Sequence, residues 1–375
     1  MQIDLLELKN YRNYEKLSVN FDPGVNIIYG ENAQGKTNIL ESIYMCCSGK
    51  SHKGSKEREI IKHEKDEAHV KAEFLPEHGS RRRIDIHLKK SKGKGLAVNK
   101  IPIRKISELY GNILVVIFST EDLDMIKRGP SDRRRFIDME LCQIDPVYVE
   151  NLITYNRILV QRRELFKKME DDGRDDPSLL ETLDVWDLQL VNYGTEIIKR
   201  RREFIEELNG IIFDIHYSIT SGMEKIRLVY EPSTDEDIFY ENLIKNRERD
   251  IFLKQTSVGP HRDDFSIYNG PDNMRTYGSN GQQRTCALSL KLSEIKLIEK
   301  KKGEKPVLLL DDVLSELDRN RQKMLIRELE GTQTIITCTG IDEFVENELK
   351  NSKKFYIKNA AVKKEQDTNG RKNIT

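Results

Sequence analysis

The chain has 375 residues with 63 basic and 63 acidic side chains, so its formal net charge is zero. That length admits two domains or one elaborated domain, and any cationic surface for a polyanion must come from segregation of charge, not excess. A charged fraction of 34% beside 37% hydrophobic fits a foldable polar protein with exposed helices, and no apolar run approaches the roughly 20 residues that cross a bilayer.

Residues 1–29 predict two strands and a turn. Ile3, Leu5, Leu6 and Leu8 alternate among polar residues, the pattern of a strand and not of a secretory leader. The apolar run Val25-Asn26-Ile27-Ile28-Tyr29 then enters Gly30-Glu31-Asn32-Ala33-Gln34-Gly35-Lys36-Thr37, and helix-like residues Asn38 to Met45 follow. This is G-x-x-x-x-G-K-[ST] between a strand and a helix, the context that makes the spacing a phosphate-binding loop. Gly30 and Gly35 open backbone angles closed to other residues, so N–H groups can converge on an anion at the helix's positive end. Lys36 reaches the outer phosphates and the Thr37 hydroxyl can ligate Mg²⁺. A nucleoside triphosphate is the expected ligand.

Further along, His69 to Phe74, Arg83 to Leu88 and Leu96 to Val98 predict strands, with a hairpin turn at Ser91-Lys92-Gly93-Lys94-Gly95. Ile113 to Phe118 has the all-apolar pattern of a buried strand. From about 131 to 216 the spacing is helical. Two long helices, the second from Leu179 to about Phe213, flank the polar turn Asp171 to Pro177 and predict either an antiparallel hairpin arm or a compact helical subdomain. Residues 226–270 are mixed, 279–345 look α/β, and the tail from about 360 is charged. The five cysteines, Cys46, Cys47, Cys142, Cys286 and Cys338, are odd in number and form no C-x-x-C. They predict reduced thiols in a cytoplasmic protein, without zinc.

Val307-Leu308-Leu309-Leu310-Asp311-Asp312 is an apolar strand ending in two carboxylates. Mg²⁺ held by a hydroxyl and phosphates needs such a partner, so Asp311 is expected at the metal and Asp312 at the attacking water. Ser315-Glu316-Leu317-Asp318 follows in the position of an ABC-type D-loop. Upstream, Ser279-Asn280-Gly281-Gln282 precedes a helix from about Arg284 to Lys300. Alone it reads as a helix cap. The order of phosphate loop, S-x-G-Q, Asp-Asp strand and S-E-L-D is that of ABC-type heads, in which the serine loop of one protomer closes on the γ-phosphate held by another.

On these motifs the chain resembles the RecF family over nearly its whole length. The opening Leu8-Lys9-Asn10-Tyr11-Arg12-Asn13-Tyr14 is similar to that family's N-terminal signature. Thr120-Glu121-Asp122-Leu123 with Gly129-Pro130-Ser131-Asp132-Arg133-Arg134-Arg135-Phe136-Ile137-Asp138 resembles its P-E-D-L…R-R-x-F-L-D segment, with Thr120 in place of proline and Arg128 in place of a frequent glycine. Val258 to Asp264 matches G-P-H-R-D-D, and Leu309 to Leu325 matches the C-terminal signature. The resemblance implies Arg12 and Asn13 near nucleotide. The glutamine that senses the γ-phosphate in ABC heads has no clear counterpart after Phe118, which leaves Glu121 as the candidate, and no histidine follows the strand Thr334 to Thr337, which leaves Thr337 or Thr339 as candidate switch residues. It also implies an ATP-dependent homodimer that clamps DNA at single-strand gaps, works with RecR and RecO to load RecA, and hydrolyses ATP slowly for release.

The expected fold is α/β: an ABC-type ATPase head with a mostly helical second lobe carrying a short antiparallel arm. Residues 1–120 form the first part of the ATPase lobe, 121–255 the helical lobe, 256–360 the second part of the ATPase lobe, and 361–375 a charged tail. ATP and Mg²⁺ are the expected cofactors. Lys36, Asp312, Ser279 and Gln282 are expected to act in catalysis. Gly30 through Thr37, Arg12, Asn13 and Gly281 are expected to bind nucleotide, and Thr37 and Asp311 the metal.

An ATPase subunit of an ABC transporter is the alternative. A small-molecule kinase leaves S-x-G-Q and S-E-L-D unexplained, and a zinc-hook repair ATPase is excluded by length and the missing C-x-x-C. Gly259 to Asp264 reads more readily as a turn whose acids pair with Arg262 or cap a backbone than as a catalytic His/Asp pair. His52 and His63 are expected at the surface and Trp186 in the core of the arm. The basic clusters are Lys50, His52, Lys53, Lys56 and Arg58; Arg81 to Arg83; Lys89, Lys90, Lys92 and Lys94; Arg133 to Arg135; and Lys199 to Arg202. Each alone fits a solvated face, and together they are the candidates for phosphate contacts.

Overall fold

A computed structural model describes residues 1–363 apart from Lys92, Arg174, Asp175 and Asp342. Lys92 falls in the predicted turn at 91–95 and Arg174 and Asp175 in that at 171–177, and the charged tail beyond residue 363 also lies outside the described residues. The chain divides into two compact units, Met1–Thr120 with Ile298–Thr375, and Glu121–Leu297.

The first unit is built on a six-stranded sheet in the order Ala361–Lys363, Lys353–Lys358, Val25–Tyr29, Thr334–Cys338, Val307–Asp311, Val115–Ser119. All its pairings are parallel except the terminal hairpin. Val115–Ser119 and Val307–Asp311 are buried at every residue, which is why both read as unbroken apolar runs: a parallel sheet is covered on both faces. The register sets Asp311 beside Thr337 and Ser119, with Thr337 beside Ile28. Strand ends that converge in this way form the crevice where open α/β sheets take ligands.

A second six-stranded sheet is antiparallel, in the order Tyr14–Asn20, Gln2–Tyr11, Glu67–Leu75, Arg82–Lys89, Gly93–Val98, Ile101–Ile103. Its inward residues alternate along Glu67–Leu75 (Ala68, Val70, Ala72, Phe74). Residues 1–29 thus contain three strands, not two, because Arg12 and Asn13 turn the chain sharply between Tyr11 and Tyr14. The strand Ile101–Ile103 had no signal in the sequence; it is short and holds an exposed proline, which suits a sheet edge.

The second unit is mostly helical. Asp145 caps the helix Pro146–Asp172, accepting from the N–H groups of Val147 and Tyr148, and Asp176 caps Pro177–Ile219. Each helix has proline at its first position. The 43 residues of the latter span about 64 Å at 1.5 Å per residue. The pair packs antiparallel around Leu165, Phe166, Met169, Leu179 and Leu183, with Trp186 half-buried against them and Ile251 entering from the helix Arg247–Leu253. A buried ion pair, Arg162 Nε to Asp187 at 2.7 Å, crosses between the two helices. A three-stranded sheet (Asp272–Asn273, Asp264–Asn269, Ile226–Glu231) completes the unit with the helix Asn280–Lys302, which begins in it. Residues 256–297 cluster here and not with the ATPase core where the sequence grouped them. The reason is local: the strand Asp264–Asn269 pairs with Ile226–Glu231, and Asp263 and Asp264 are gripped by Arg201 and Arg133.

Candidate nucleotide site

In the first unit the loop Gly30 to Thr37 bends through left-handed residues. Gly35 has φ 106° and Ala33 φ 63°. A Cβ on Gly35 would lie 2.5 Å from Asn13 Nδ2, and one on Gly30 would lie 2.3 Å from the Ile357 carbonyl oxygen, so both positions need glycine for space as well as for angle. The helix Lys36–Ser48 starts at Gly35 with no side-chain cap and no acidic residue in its first turn. Its positive end therefore meets no competing carboxylate of its own. Lys36 Nζ donates to the carbonyls of Gly30 (2.6 Å) and Glu31 (2.8 Å) across the mouth of the loop. Burial pushes the Lys36 ammonium below its ordinary pKa, against the pull of Asp312, Cys338 and Asp311. Glu31, Asn32 and Ala33 are exposed at the tip of the loop, and the Gln34 carboxamide oxygen accepts the Asn359 N–H at 2.6 Å.

Thr37 Oγ1 donates to Asp311 Oδ1 at 2.8 Å, and Thr337 Oγ1 donates to the same oxygen at 2.7 Å. A hydroxyl and a carboxylate in contact are the donor set a hard cation takes beside phosphate oxygens. Among the described residues no cluster of three or more His, Cys, Asp or Glu could hold a metal alone. Asp312 follows in a left-handed conformation, φ 58°. Its N–H donates to Thr337 Oγ1 and its carbonyl accepts from Ser315 Oγ. Burial raises the Asp312 carboxyl, with the Ser315 hydrogen bond opposing and Asp311 reinforcing. Of the two threonine candidates for a switch residue, Thr337 is buried at the carboxylate and Thr339 is exposed.

Arg12 and Asn13 hold the loop from behind. Asn13 Nδ2 donates to the Gln34 carbonyl at 3.0 Å, Asn38 Nδ2 donates to Asn13 Oδ1 at 2.9 Å, and Tyr14 OH donates to the Gly35 carbonyl. Arg12 forms a two-point pair with Glu41, Nε to Oε2 at 2.9 Å and Nη2 to Oε1 at 2.6 Å. Burial alone would raise the Glu41 carboxyl, but its bonds from Arg12 and Ser51 and the Arg12 charge outweigh this and hold it below the usual range. Sequence reasoning missed Glu41. Its signal was a carboxylate within the run Ile39-Leu40-Glu41-Ser42-Ile43-Tyr44 of a helix buried all round, where an acid is buried only if paired. His52, expected at the surface, is buried with its ring edge-on to Tyr44 at 5.7 Å between centroids.

The second unit carries the serine loop. Ser279 accepts the Gln282 N–H on Oγ at 3.3 Å while the Gln282 carboxamide oxygen accepts the Ser279 N–H at 2.8 Å, a reciprocal cap. Gln282 Nε2 also donates to Glu224 Oε1 at 2.9 Å, and Gly281 gives its carbonyl to Thr285 Oγ1. Lys127, which no motif pointed to, donates to Asn280 Oδ1 at 2.7 Å. The loop bearing Lys127 is shaped by Arg133, whose Nη1 donates to the carbonyls of Met125, Ile126 and Arg128.

The turn Gly259 to Asp264 is structural, though not through Arg262, which donates to the Thr256 carbonyl. Asp264 takes a two-point pair from buried Arg133 (2.6 and 2.8 Å), and Asp263 takes the buried Arg201 (3.2 Å), the Tyr230 hydroxyl and the Ser233 N–H. His261 Nε2 contacts the Thr256 carbonyl at 2.9 Å and Nδ1 the Tyr155 hydroxyl at 2.7 Å. The carbonyl can only accept, so a proton sits on Nε2, and burial, which lowers the imidazole to about 4, favours the neutral ring.

The AAA domain family matches residues 5–212. The DNA replication and repair protein RecF of Agathobacter rectalis is 56% identical, covering 95% of this chain and 97% of its own. The chain belongs to the RecF family. A RecF-family relative in Lachnospira eligens is 53% identical over 96% of this chain and 99% of its own. The solved structure of the recombination mediator protein RecF-ATPrS in the RecFOR pathway is 36% identical with TM-score 0.87, covering 97% of this chain and 98% of that one. The Smc head domain from Pyrococcus furiosus, bound to the C-terminal domain of ScpA, shares the fold at 18% identity and TM-score 0.54, over 96% and 95% of the two chains. The fold is therefore that of an ABC-type ATPase head, and the RecF-family assignment disfavours a transporter subunit. No helix among the described residues is long and apolar enough to cross a membrane.

Proposed function

We propose that this RecF-family chain is an ATP-dependent DNA-binding protein of recombinational repair. ATP joins two copies, the dimer clamps DNA at single-strand gaps, and slow hydrolysis releases it. The observation that carries the reading is the contact of Thr37 with Asp311 beside a lysine laid across a glycine loop. Lys36 binds the outer phosphates, and Thr37 and Asp311 would hold Mg²⁺, which supplies charge neutralisation at the transferred phosphoryl group. Asp312, held in place through its backbone by Thr337 and Ser315, orients the attacking water, and its raised carboxyl pKa suits a group that takes up a proton. Arg12 and Asn13 fix the loop's shape and do not need to touch the nucleotide.

Ser279 and Gly281 act across the dimer. The Ser279 oxygen accepts within its cap, which leaves its hydroxyl hydrogen to donate to a γ-phosphate of the second copy. The role of Gln282 is to hold that cap closed. The resemblance to RecF proteins of the RecFOR pathway supports RecO and RecR as partners in loading RecA and the cytoplasm as the place of action. Size-exclusion with a non-hydrolysable ATP analogue tests the dimer: the native chain should shift to twice its mass and Ser279→Arg should not. Equal dimerisation of both would remove the role across the dimer, and hydrolysis indifferent to DNA would count against the clamp.

A further inference from the structure

The sequence offers five basic clusters for a DNA backbone, and the structure spends most of them on internal pairs. Arg81 bonds Asp4 and Glu73, Arg83 takes Asp85 by two nitrogens, and Lys94 pairs with Glu57 at 2.8 Å. Lys89 and Lys90 lie near Glu67 and Asp66. Arg133 is buried on Asp264, and Arg134 donates to the Asp263 carbonyl. Arg200, Arg201 and Arg202 pair with Asp145, Asp138 and Glu236. Lys50, Lys53, Lys56 and Arg58 differ: all four are exposed, and none of their side chains has an ion pair among the described residues. Glu57, between them, is already taken by Lys94.

A second exposed pair lies alongside. Ile106 Cδ1 would be 2.7 Å from a Cβ on Gly49, so the residues just before it, Arg104 and Lys105, adjoin Lys50 at the end of the phosphate-loop helix. Both are exposed and without an ion pair among the described residues. Several unneutralised cations on one face are what backbone phosphates recognise.

This face is wired to the nucleotide loop. Besides its pair with Glu41, Arg12 Nη2 donates to Ser55 Oγ at 2.7 Å and Nη1 to the Glu59 carbonyl at 3.0 Å. Ser51 Oγ reaches Glu41 Oε1 at 2.5 Å. The next residue, Asn13, holds the Gln34 carbonyl inside the loop. One two-residue turn therefore grips the phosphate loop, its helix and the cationic segment together.

We infer that Lys50, Lys53, Lys56, Arg58, Arg104 and Lys105 form the duplex-DNA backbone contact of this chain, and that Arg12 makes the position of that contact depend on the nucleotide loop. The inference rests on the DNA-binding reading above and adds the surface and the link. The test measures binding of a fluorescein-labelled duplex across a salt series, with and without a non-hydrolysable ATP analogue. The triple variant Lys53→Glu/Lys56→Glu/Arg58→Glu should lose about tenfold or more in affinity, and its log-log salt slope should be shallower by about 2.7, or 0.9 for each of three lost phosphate contacts.

Lys89→Glu/Lys90→Glu, equal in charge sign but drawn from paired residues, should leave the slope within about one. A triple variant that binds like the native chain, or a control that loses as much, overturns the surface. Arg12→Gln should bring the ratio of affinities with and without nucleotide toward one, and Ser55→Ala, which removes one hydrogen bond and no charge, should move it the same way. If both keep the native ratio while still binding a fluorescent ATP analogue, the link is refuted. A native chain that binds no duplex even with nucleotide refutes the DNA-binding reading itself.

Discussion

Arg133 separates two accounts of the R-R-x-F motif: phosphate contact or loop keystone. The structure puts its guanidinium at 3% exposure, two nitrogens on Asp264 and a third shared among three carbonyls of the loop 125–128. Arg133→Met keeps the volume and removes every donor. The Asp264 carboxylate then loses its counter-charge and the carbonyls their partner, a loss of about 3–5 kcal/mol for a broken buried pair. At ~2–4 °C per kcal/mol for a unit of this size, the midpoint value predicts a melting temperature lower by about 8–16 °C. Arg133→Lys keeps the charge but not the fork, and should recover only part of it. The assay is thermal unfolding by calorimetry, paired with the salt dependence of DNA binding on the folded variants. A phosphate contact would give the opposite pattern: an unmoved melting temperature and a salt slope shallower by about 0.9. Melting of Arg133→Met within about 2 °C of the native chain, less than 1 kcal/mol, refutes the keystone.

Asp311→Asn should leave ATP affinity largely intact while kcat for phosphate release falls by about 10²–10³, the several kcal/mol that metal assistance contributes; a fall of less than tenfold would place the metal elsewhere. Gly35→Ala should weaken ATP binding by more than about tenfold, from the 2.5 Å clash with Asn13 and a φ of 106° that costs about 1–3 kcal/mol without glycine, and native affinity by calorimetric titration would show that the loop relaxes freely. Burial lowers the His261 imidazole to about 4, so between about 6.5 and 4 the unfolded chain binds the extra proton and stability falls as pH falls. At pH 5 the loss relative to pH 7.5 is about 2 kcal/mol; denaturant midpoints should show it in the native chain and not in His261→Gln, and parallel curves for the two would remove His261 as its source.

The phosphate loop and the Asp-Asp strand were legible in the sequence because each is contiguous, and fixed spacing carries the chemistry. Their union was legible only by analogy of order; the contact of Thr37 with Asp311 spans 274 positions and is made by sheet register. What could not be read was which charges are spent. Arg200 to Arg202 look like one cationic patch as a string, but successive helix residues point about 100° apart, so one meets Asp145, the next is buried on Asp138 and the third meets Glu236. The turn Gly259 to Asp264 was legible as a turn and not as a hub, since its arginine partners lie 131 and 62 positions away. The edge strand Ile101–Ile103 was lost because three residues with a proline carry no periodicity.

Arg12, Arg133 and Arg201 share a design that follows from backbone chemistry. Each donates to the backbone carbonyls of a loop or single-turn helix, and each does so while its remaining nitrogens hold a carboxylate. Five donors in a fixed plane can meet both demands at once, where lysine would meet one. The phosphate loop is the exception that explains the rest. Its helix start has neither side-chain cap nor acidic residue, so the groups that would ordinarily be satisfied locally are left for an anion. Such a loop cannot hold its own shape and must borrow it, from Asn13 and Tyr14 at its back and from Lys36 across its front. Lys36 thus braces the loop, and in the function proposed above it is also the phosphate ligand, so that turning to a phosphate would release the Gly30 and Glu31 carbonyls.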